Sequence, residues 1–370
     1  MEKIWFRFSQ LFAAAGHETT YLSRRWPGLP DAETVAGVRH IRLPGMNHRR
    51  HLAANLVLDF VWGLRVLRAL PAGDAVICNT VALPVFLRRL KPRAGQVCVS
   101  LGRMPKGQIR LYGGVACLMA PSTAVADRVR MENPALAHRI LLLPNPIDWP
   151  LHAGANPAKV AALRSPSTGP LTIGYVGRVH PEKGLEQLLD AACLLAAQND
   201  LPPWGLQIIG PVAVPQGGGG EAYRQALLGK YGSVLGTRLE LLPPIFDPVQ
   251  LAGRYGAIDV FCYPSLATEG EGLSVAPLEA MAAGAVPIVS RLPVYDDVVV
   301  SGRNGFRFDH TAPPRAVAAE LAGHLAHLLR DDETRLRLAR AAQETARRFD
   351  FGALAGTVLG ALAALTARSA

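Results

Sequence analysis

The chain has 370 residues, 49% hydrophobic and 18% charged, which excludes a disordered or low-complexity protein and suggests about two domains. Its net charge of +10 is uneven: residues 1–168 hold 22 Lys+Arg against 9 Asp+Glu, and residues 169–370 hold 17 against 20. No run of 18 apolar residues occurs, and no basic, apolar and small-residue leader, which argues against a spanning helix and a secretory signal. The five cysteines are odd in number and widely spaced, so neither a zinc site nor a disulfide framework is expected, and a reducing cytoplasm fits best. A basic first half suits an anionic lipid or phosphorylated partner. Nucleic acid is not expected, because no basic–aromatic pattern accompanies the charge.

Short apolar runs alternate with helical periods along the chain. The first half predicts strands at 19–23, 38–43, 75–79, 97–101, 115–120 and 140–143, with helices at 4–15, 52–70, 81–90 and 123–131. The second half predicts strands at 171–176, 206–209, 239–242, 260–263 and 286–289. Its helices are expected at 184–198, 221–231, 248–255, 275–283, 315–329 and 333–348. Alternating β and α units imply parallel sheets covered by helices, and two such sets imply two doubly wound domains. The expected divisions are residues 1–150, a first doubly wound domain; a linker at 151–169; 170–350, a second doubly wound domain; and a terminal helix at 351–370. Gly352, Gly356 and Gly360 lie four apart in that last segment, which reads as a close-packed helix rather than a membrane dimer motif.

Two segments carry chemistry. In Gly174-Tyr-Val-Gly177-Arg178-Val-His-Pro-Glu-Lys183-Gly184, a buried strand ends at Gly177, a turn presents Arg178 and Lys183, and a helix follows. A guanidinium fork, an ammonium and helix N–H groups together suit a diphosphate. In the second, the strand 260–263 feeds Pro264-Ser265 and a glycine-rich loop with Glu271, Gly272, Leu273 and Ser274. A helix containing Glu279 comes next. Backbone N–H groups of that loop can face an anion, and a carboxylate among Leu278, Ala280 and Met281 needs hydroxyl or cationic partners.

These segments resemble the retaining nucleotide-sugar glycosyltransferases of the GT-B fold, glycosyltransferase family 4. The Glu-x7-Glu element matches Glu271 and Glu279; the Gly-Arg-x4-Lys-Gly element matches Gly177, Arg178, Lys183 and Gly184. Asp297-Val298-Val299 with Gly302, Asn304 and Gly305, the start from Ala13 to Glu18, Pro121-Ser122 and Pro144-Asn-Pro-Ile-Asp148 add to the likeness. The resemblance implies an α/β GT-B fold, with two Rossmann-like domains facing a cleft. It assigns Arg178 and Lys183 to the donor diphosphate, Glu271 to sugar hydroxyls, Glu279 to ribose, and the amides at Leu273 and Ser274 to sugar and phosphate. It also implies a metal-independent, cofactor-free, hexosyltransferase-type transfer from a nucleotide-sugar donor in polysaccharide or glycolipid synthesis. Peripheral contact with the inner membrane face through the basic half, around Asn47–His51 and the helix after it, is one expectation.

Two departures stand beside the likeness. The family's opening strand and glycine-rich loop are missing ahead of the helix at Ile4–Ala15. The natural product is therefore expected to begin roughly 15–20 residues earlier, one strand plus a turn and a short leader. A first-domain histidine of the family is also absent, and Asn79 or Arg103 is left to line that side, with His17, His48, His51 and His180 expected to be surface or structural. A catalytically impaired nucleotide-binding paralogue and a phosphorylase-like enzyme remain as alternatives.

Overall fold

The computed structural model describes residues 2–46, 52–156, 169–268 and 271–367. Asn47–His51 and most of the expected linker therefore lie outside the described residues. The chain divides into two compact units, residues 1–146 with 351–370, and residues 147–350.

The second unit is built on a six-stranded sheet. Its strands are β8 (Leu171–Val176), β9 (Trp204–Ile209), β10 (Leu239–Leu242), β11 (Val260–Tyr263), β12 (Val286–Ser290) and β13 (Phe306–Phe308). All pairings are parallel, in the order β10-β9-β8-β11-β12-β13. Helices cover both faces, so strands such as Val260–Tyr263 and Val286–Ser290 are apolar and buried throughout rather than alternating. Among the described residues, its α-helices are α5 (Trp149–Ala153), α6 (Leu185–Ala196), α7 (Glu221–Leu235), α8 (Pro248–Gly256), α9 (Val275–Ala282), α10 (Pro314–Arg330) and α11 (Asp332–Arg347). Chain order reverses between β8 and β11, and their carboxyl ends release the two chemistry-bearing loops side by side, where such sheets receive ligands.

Among the described residues, the first unit holds two sheets. Strands β1 (Thr19–Arg24), β2 (Ala32–Val35) and β3 (Val38–Leu43) form one, in the order β1-β3-β2; β4 (Ala75–Cys78), β5 (Gln96–Ser100), β6 (Cys117–Ala120) and β7 (Ile140–Leu142) form the other, in chain order. Helices α1 (Glu2–Ala14), α2 (Leu52–Ala69), α3 (Leu83–Leu90), α4 (Thr123–Glu132) and α12 (Phe351–Ala367) pack around them. The two-residue period of β5 divides its side chains between two cores. Val97 and Val99 join Val66, Leu87 and Leu118 on one face, while Cys98 joins Trp5, Phe8, Phe12 and Met119 on the other. All five cysteines are free thiols.

The domain divisions differ from the sequence expectation in two ways. The boundary falls at Pro146/Ile147 rather than at 150 and 170, because residues 149–153 form α5 on an Asp148 cap that accepts the Leu151 N–H at 3.1 Å. Helix α5 then packs on α8 and α9. The terminal helix is not a separate element. Leu354 and Val358 of α12 enter the core beside Phe8 and Phe12, and Phe351 meets Phe8 edge-on at 5.4 Å. The chain thus crosses between units twice, and Ile147 bridges Asp350 where the crossings meet. Strand β2 was not anticipated. It is an exposed polar edge, joined to β3 through Ala36 (φ 49°) and Gly37 (φ 78°), a tight hairpin turn of left-handed residues.

Candidate functional site

Strand β8 ends at Val176, and the Tyr175 hydroxyl donates to the Arg178 carbonyl at 2.9 Å, which closes the following turn. A Cβ at Gly177 would stand 2.6 Å from that hydroxyl, so only glycine fits. The turn returns through Pro181–Lys183 to Gly184, which caps α6 at φ +66°. A Cβ there would lie 2.0 Å from the Pro264 carbonyl. This contact presses the Arg178–Lys183 turn against the loop after β11.

Their side chains meet across that contact. The Lys183 ammonium donates to Glu271 Oε1, and the Ser265 hydroxyl donates to the same oxygen at 3.0 Å. Both ion-pair side chains are buried, 7% and 10% exposed. Lys183 also lies 5.5 Å from the centroid of the Tyr263 ring. Burial opposes the Lys183 charge, but Tyr263 and Glu271 outweigh it and raise the ammonium above its ordinary value. Burial pushes the hydroxyls of Tyr175 and Tyr295 well up, so these neighbours stay protonated.

Arg178 is more open. Its guanidinium donates to the Gly217 carbonyl at 2.9 Å and pairs with Glu182. The same Glu182 oxygen lies 3.8 Å from the Lys183 ammonium. One carboxylate oxygen therefore sits between both cations.

The second carboxylate, Glu279, lies in α9 with its side chain 20% exposed. Its Oε1 is 3.9 Å from Nε2 of buried His152, whose Nδ1 donates to the Asp148 carbonyl at 2.8 Å. Tyr255 packs edge-on to that imidazole at 5.6 Å, and burial together with the Glu279 charge pushes its phenol up. Gly272 and Leu273 are buried at the mouth of α9. Ser274 is the N-cap residue, yet its side chain does not cap the helix and bonds Tyr263 instead.

The structure thus gathers Arg178, Lys183 and Glu271 with Gly177 and Gly184 at the β8 and β11 ends, and sets Glu279 beside His152. Sequence reading missed Glu182, Ser265, Tyr263, His152 and Tyr255. Pro264-Ser265 directly after a strand was the available sign for Ser265, and Glu182 lies within the Arg178–Lys183 turn itself; Tyr263, His152 and Tyr255 are brought in by contacts remote in sequence. Asn79 and Arg103 are exposed in the first unit, after β4 and β5. His17 is exposed in the turn before β1, and His180 accepts from the Glu182 N–H at 3.3 Å, a structural bond. His48 and His51 lie outside the described residues.

Residues 162–345, which include Arg178, Lys183, Glu271 and Glu279, match the family described as glycosyl transferases group 1. The chain belongs to that family. This group 1 chain is 31% identical over 189 residues to D-inositol 3-phosphate glycosyltransferase of Corynebacterium efficiens, covering 50% of itself and 40% of that protein. It is 30% identical over 238 residues to phosphatidyl-myo-inositol mannosyltransferase of Mycobacterium tuberculosis, covering 64% of itself and 57% of that protein. The matched stretches thus span roughly two fifths to three fifths of the length of these curated relatives. Among solved structures, sucrose-phosphate synthase of Thermosynechococcus elongatus superposes with a TM-score of 0.77 at 21% identity, over 100% of this chain and 94% of that one. Anabaena Alr3699/HepE, solved with UDP and glucose, gives 0.68 at 15% identity over 98% and 95%. These likenesses place the group 1 chain in the GT-B fold.

Proposed function

We propose that the chain is a retaining, metal-independent glycosyltransferase that moves a hexose from a nucleotide-diphosphate sugar to an envelope acceptor, a polysaccharide or glycolipid precursor. The observation that carries this reading is the convergence of Arg178 and Lys183 on one Glu182 oxygen at the carboxyl end of β8. A diphosphate oxygen makes the same demand on the same two cations. As the sugar C1–oxygen bond breaks, charge builds on the departing diphosphate, and preorganised cations gain most at that moment. In the proposed same-face transfer, the acceptor oxygen bonds to C1 on the side the diphosphate leaves, and the acceptor proton passes to a departing phosphate oxygen. Glu271 would meet sugar hydroxyls, and Glu279 the ribose.

The names of the curated relatives favour an inositol-bearing or lipid-linked acceptor. An anionic leaflet would suit helix α2, where Leu56, Val57 and Phe60 are exposed in a strongly basic unit. Each cation near such a surface contributes about 1 kcal/mol and is screened by salt. Among the described residues, no helix is long and apolar enough to cross a membrane. The test is turnover of labelled nucleotide sugars with and without a chelator, beside an Arg178→Ala variant. Chelator-resistant transfer that falls about 30- to 1,000-fold in the variant is expected, the 2–4 kcal/mol loss typical of such groups. A variant with unchanged transfer and unchanged nucleotide affinity removes the reading.

A further inference from the structure

Glu279 is the single charged residue of α9, set among the buried Leu278, Ala280 and Met281. A carboxylate in such surroundings needs donors. Among the described residues, the one basic side chain within ion-pair range of it is His152, whose Nε2 lies 3.9 Å from Oε1. The buried Tyr255 phenol of α8 faces the same charge.

The helix that carries His152 is tied down along its length. Asp148 caps it through the Leu151 N–H, the Trp149 indole donates to the Gln343 carbonyl at 3.4 Å, and the Asn156 amide donates to the Gly256 carbonyl at 3.1 Å. His152 is 5% exposed, and its Nδ1 meets the Asp148 carbonyl at 2.8 Å. A carbonyl can only accept, so Nδ1 carries a proton. In the neutral ring Nε2 would then be bare, and its lone pair would face the Glu279 carboxylate. Acceptors at both ring nitrogens are satisfied together by the imidazolium, in which both nitrogens donate. Helices α8, α9 and α11 pack on α5. From α8 comes the Tyr255 phenol and from α9 Glu279. Arg347 of α11 lies over the Trp149 ring at 5.6 Å, and the Asp350 carboxylate accepts from the Trp149 N–H at 3.3 Å.

We infer that His152 is a positioning residue, which stands doubly protonated beside Glu279 and holds that carboxylate for the ribose hydroxyls of the donor. This rests on the assignment of Glu279 to ribose. A ribose diol offers two O–H donors, so it needs a carboxylate aimed at both. The imidazolium draws the carboxylate to one side, and the tied-down α5 sets which side that is. At 20% exposure the Glu279 side chain is still open to a ligand. Loss of the Nε2 proton replaces this attraction with a lone pair facing the carboxylate. Nucleotide affinity should therefore fall as pH rises through the range in which histidines titrate.

The experiment measures UDP and GDP binding by calorimetry to the full chain and to its His152→Phe, His152→Gln and Glu279→Gln variants. Glu279→Gln should weaken whichever nucleotide the parent binds. His152→Phe should weaken it about three- to tenfold, between the effect of an exposed ion pair and that of a charged hydrogen bond. His152→Gln should stay within about twofold of the parent, because its amide N–H reaches the position of Nε2. With the 2′,3′-dideoxy form of the same nucleotide, parent and His152→Phe should bind alike. From about pH 5.5 to about pH 8, affinity should fall more steeply in the parent than in His152→Gln. The diphosphate titrates equally in both measurements, so the difference reports His152. Ring-nitrogen NMR of the free chain should show both His152 nitrogens protonated at about pH 6, with Nε2 losing its proton in Glu279→Gln. Loss in Glu279→Gln without loss in His152→Phe overturns the inference and leaves the ribose reading standing. The same holds for an equal His152→Phe loss with the dideoxy nucleotide, for parallel pH profiles, and for a singly protonated ring. If His152→Phe does not fold, the pH profiles and the NMR decide. Unchanged binding in Glu279→Gln, or no binding of either nucleotide by the parent, removes the ribose reading and the inference with it.

Discussion

Replacing Lys183 with Met should destabilise the second unit far more than an ordinary lysine substitution does. Met keeps the unbranched stem against Tyr263 but removes the ammonium, leaving Glu271 buried beside the Ser265 hydroxyl. The side chains are 7% and 10% exposed, so water cannot replace the lost partner. Breaking a buried pair by removing one member costs about 3–5 kcal/mol, because the remaining charge is uncompensated. The Arg178–Glu182 pair, five residues away, supplies an internal control. Its side chains are 41% and 38% exposed, a setting in which such pairs contribute about 0.2–1 kcal/mol. The assay is urea unfolding followed by circular dichroism, with Lys183→Met, Lys183→Met/Glu271→Gln and Glu182→Gln side by side. The double variant should recover most of the loss, since the buried charge is gone. A Lys183→Met cost under about 1 kcal/mol, or a double variant no better than the single, would refute the claim that burial makes this pair strong.

Glu182→Gln should tighten inorganic diphosphate binding by up to about fivefold, since it removes an anion that competes for Arg178 and Lys183 through a pair worth at most about 1 kcal/mol; calorimetry reads this, and weaker binding contradicts it. Gly184→Ala should cost about 1–3 kcal/mol or more, because a Cβ at φ +66° is strained and would strike the Pro264 carbonyl; thermal unfolding unchanged from the parent would show that the two loops are not pressed together. Burial lowers the pKa of His40, His310 and His324, so the folded chain binds fewer protons there than the unfolded chain. Stability should therefore fall as pH drops below about 6.5, and a melting point flat from neutral to mildly acid pH would contradict it.

The sequence by itself determined what depends on local period and short motifs. Continuous apolar runs announced β8, β11 and β12, because a strand covered on both faces has no polar side to show. The strand–turn–helix spacing around Arg178 and Lys183 followed from Gly177 and Gly184, whose backbone roles are local. The tertiary structure alone decided the partners. Lys183 and Glu271 are 88 residues apart, and nothing in either neighbourhood says that they neutralise each other. Helix α5 was hidden in a Pro/Ala-rich boundary stretch; its Asp148 cap and its packing on α8 and α9 make it an element, and this brings His152 to Glu279. The return of α12 to α1 depends on Phe8 and Phe12 leaving an apolar surface for Leu354 and Val358, a match made across more than 340 residues. The division of the first unit into two sheets is likewise a matter of which edges meet, and hydrogen-bond partners between strands carry no mark in the order of the residues that make them.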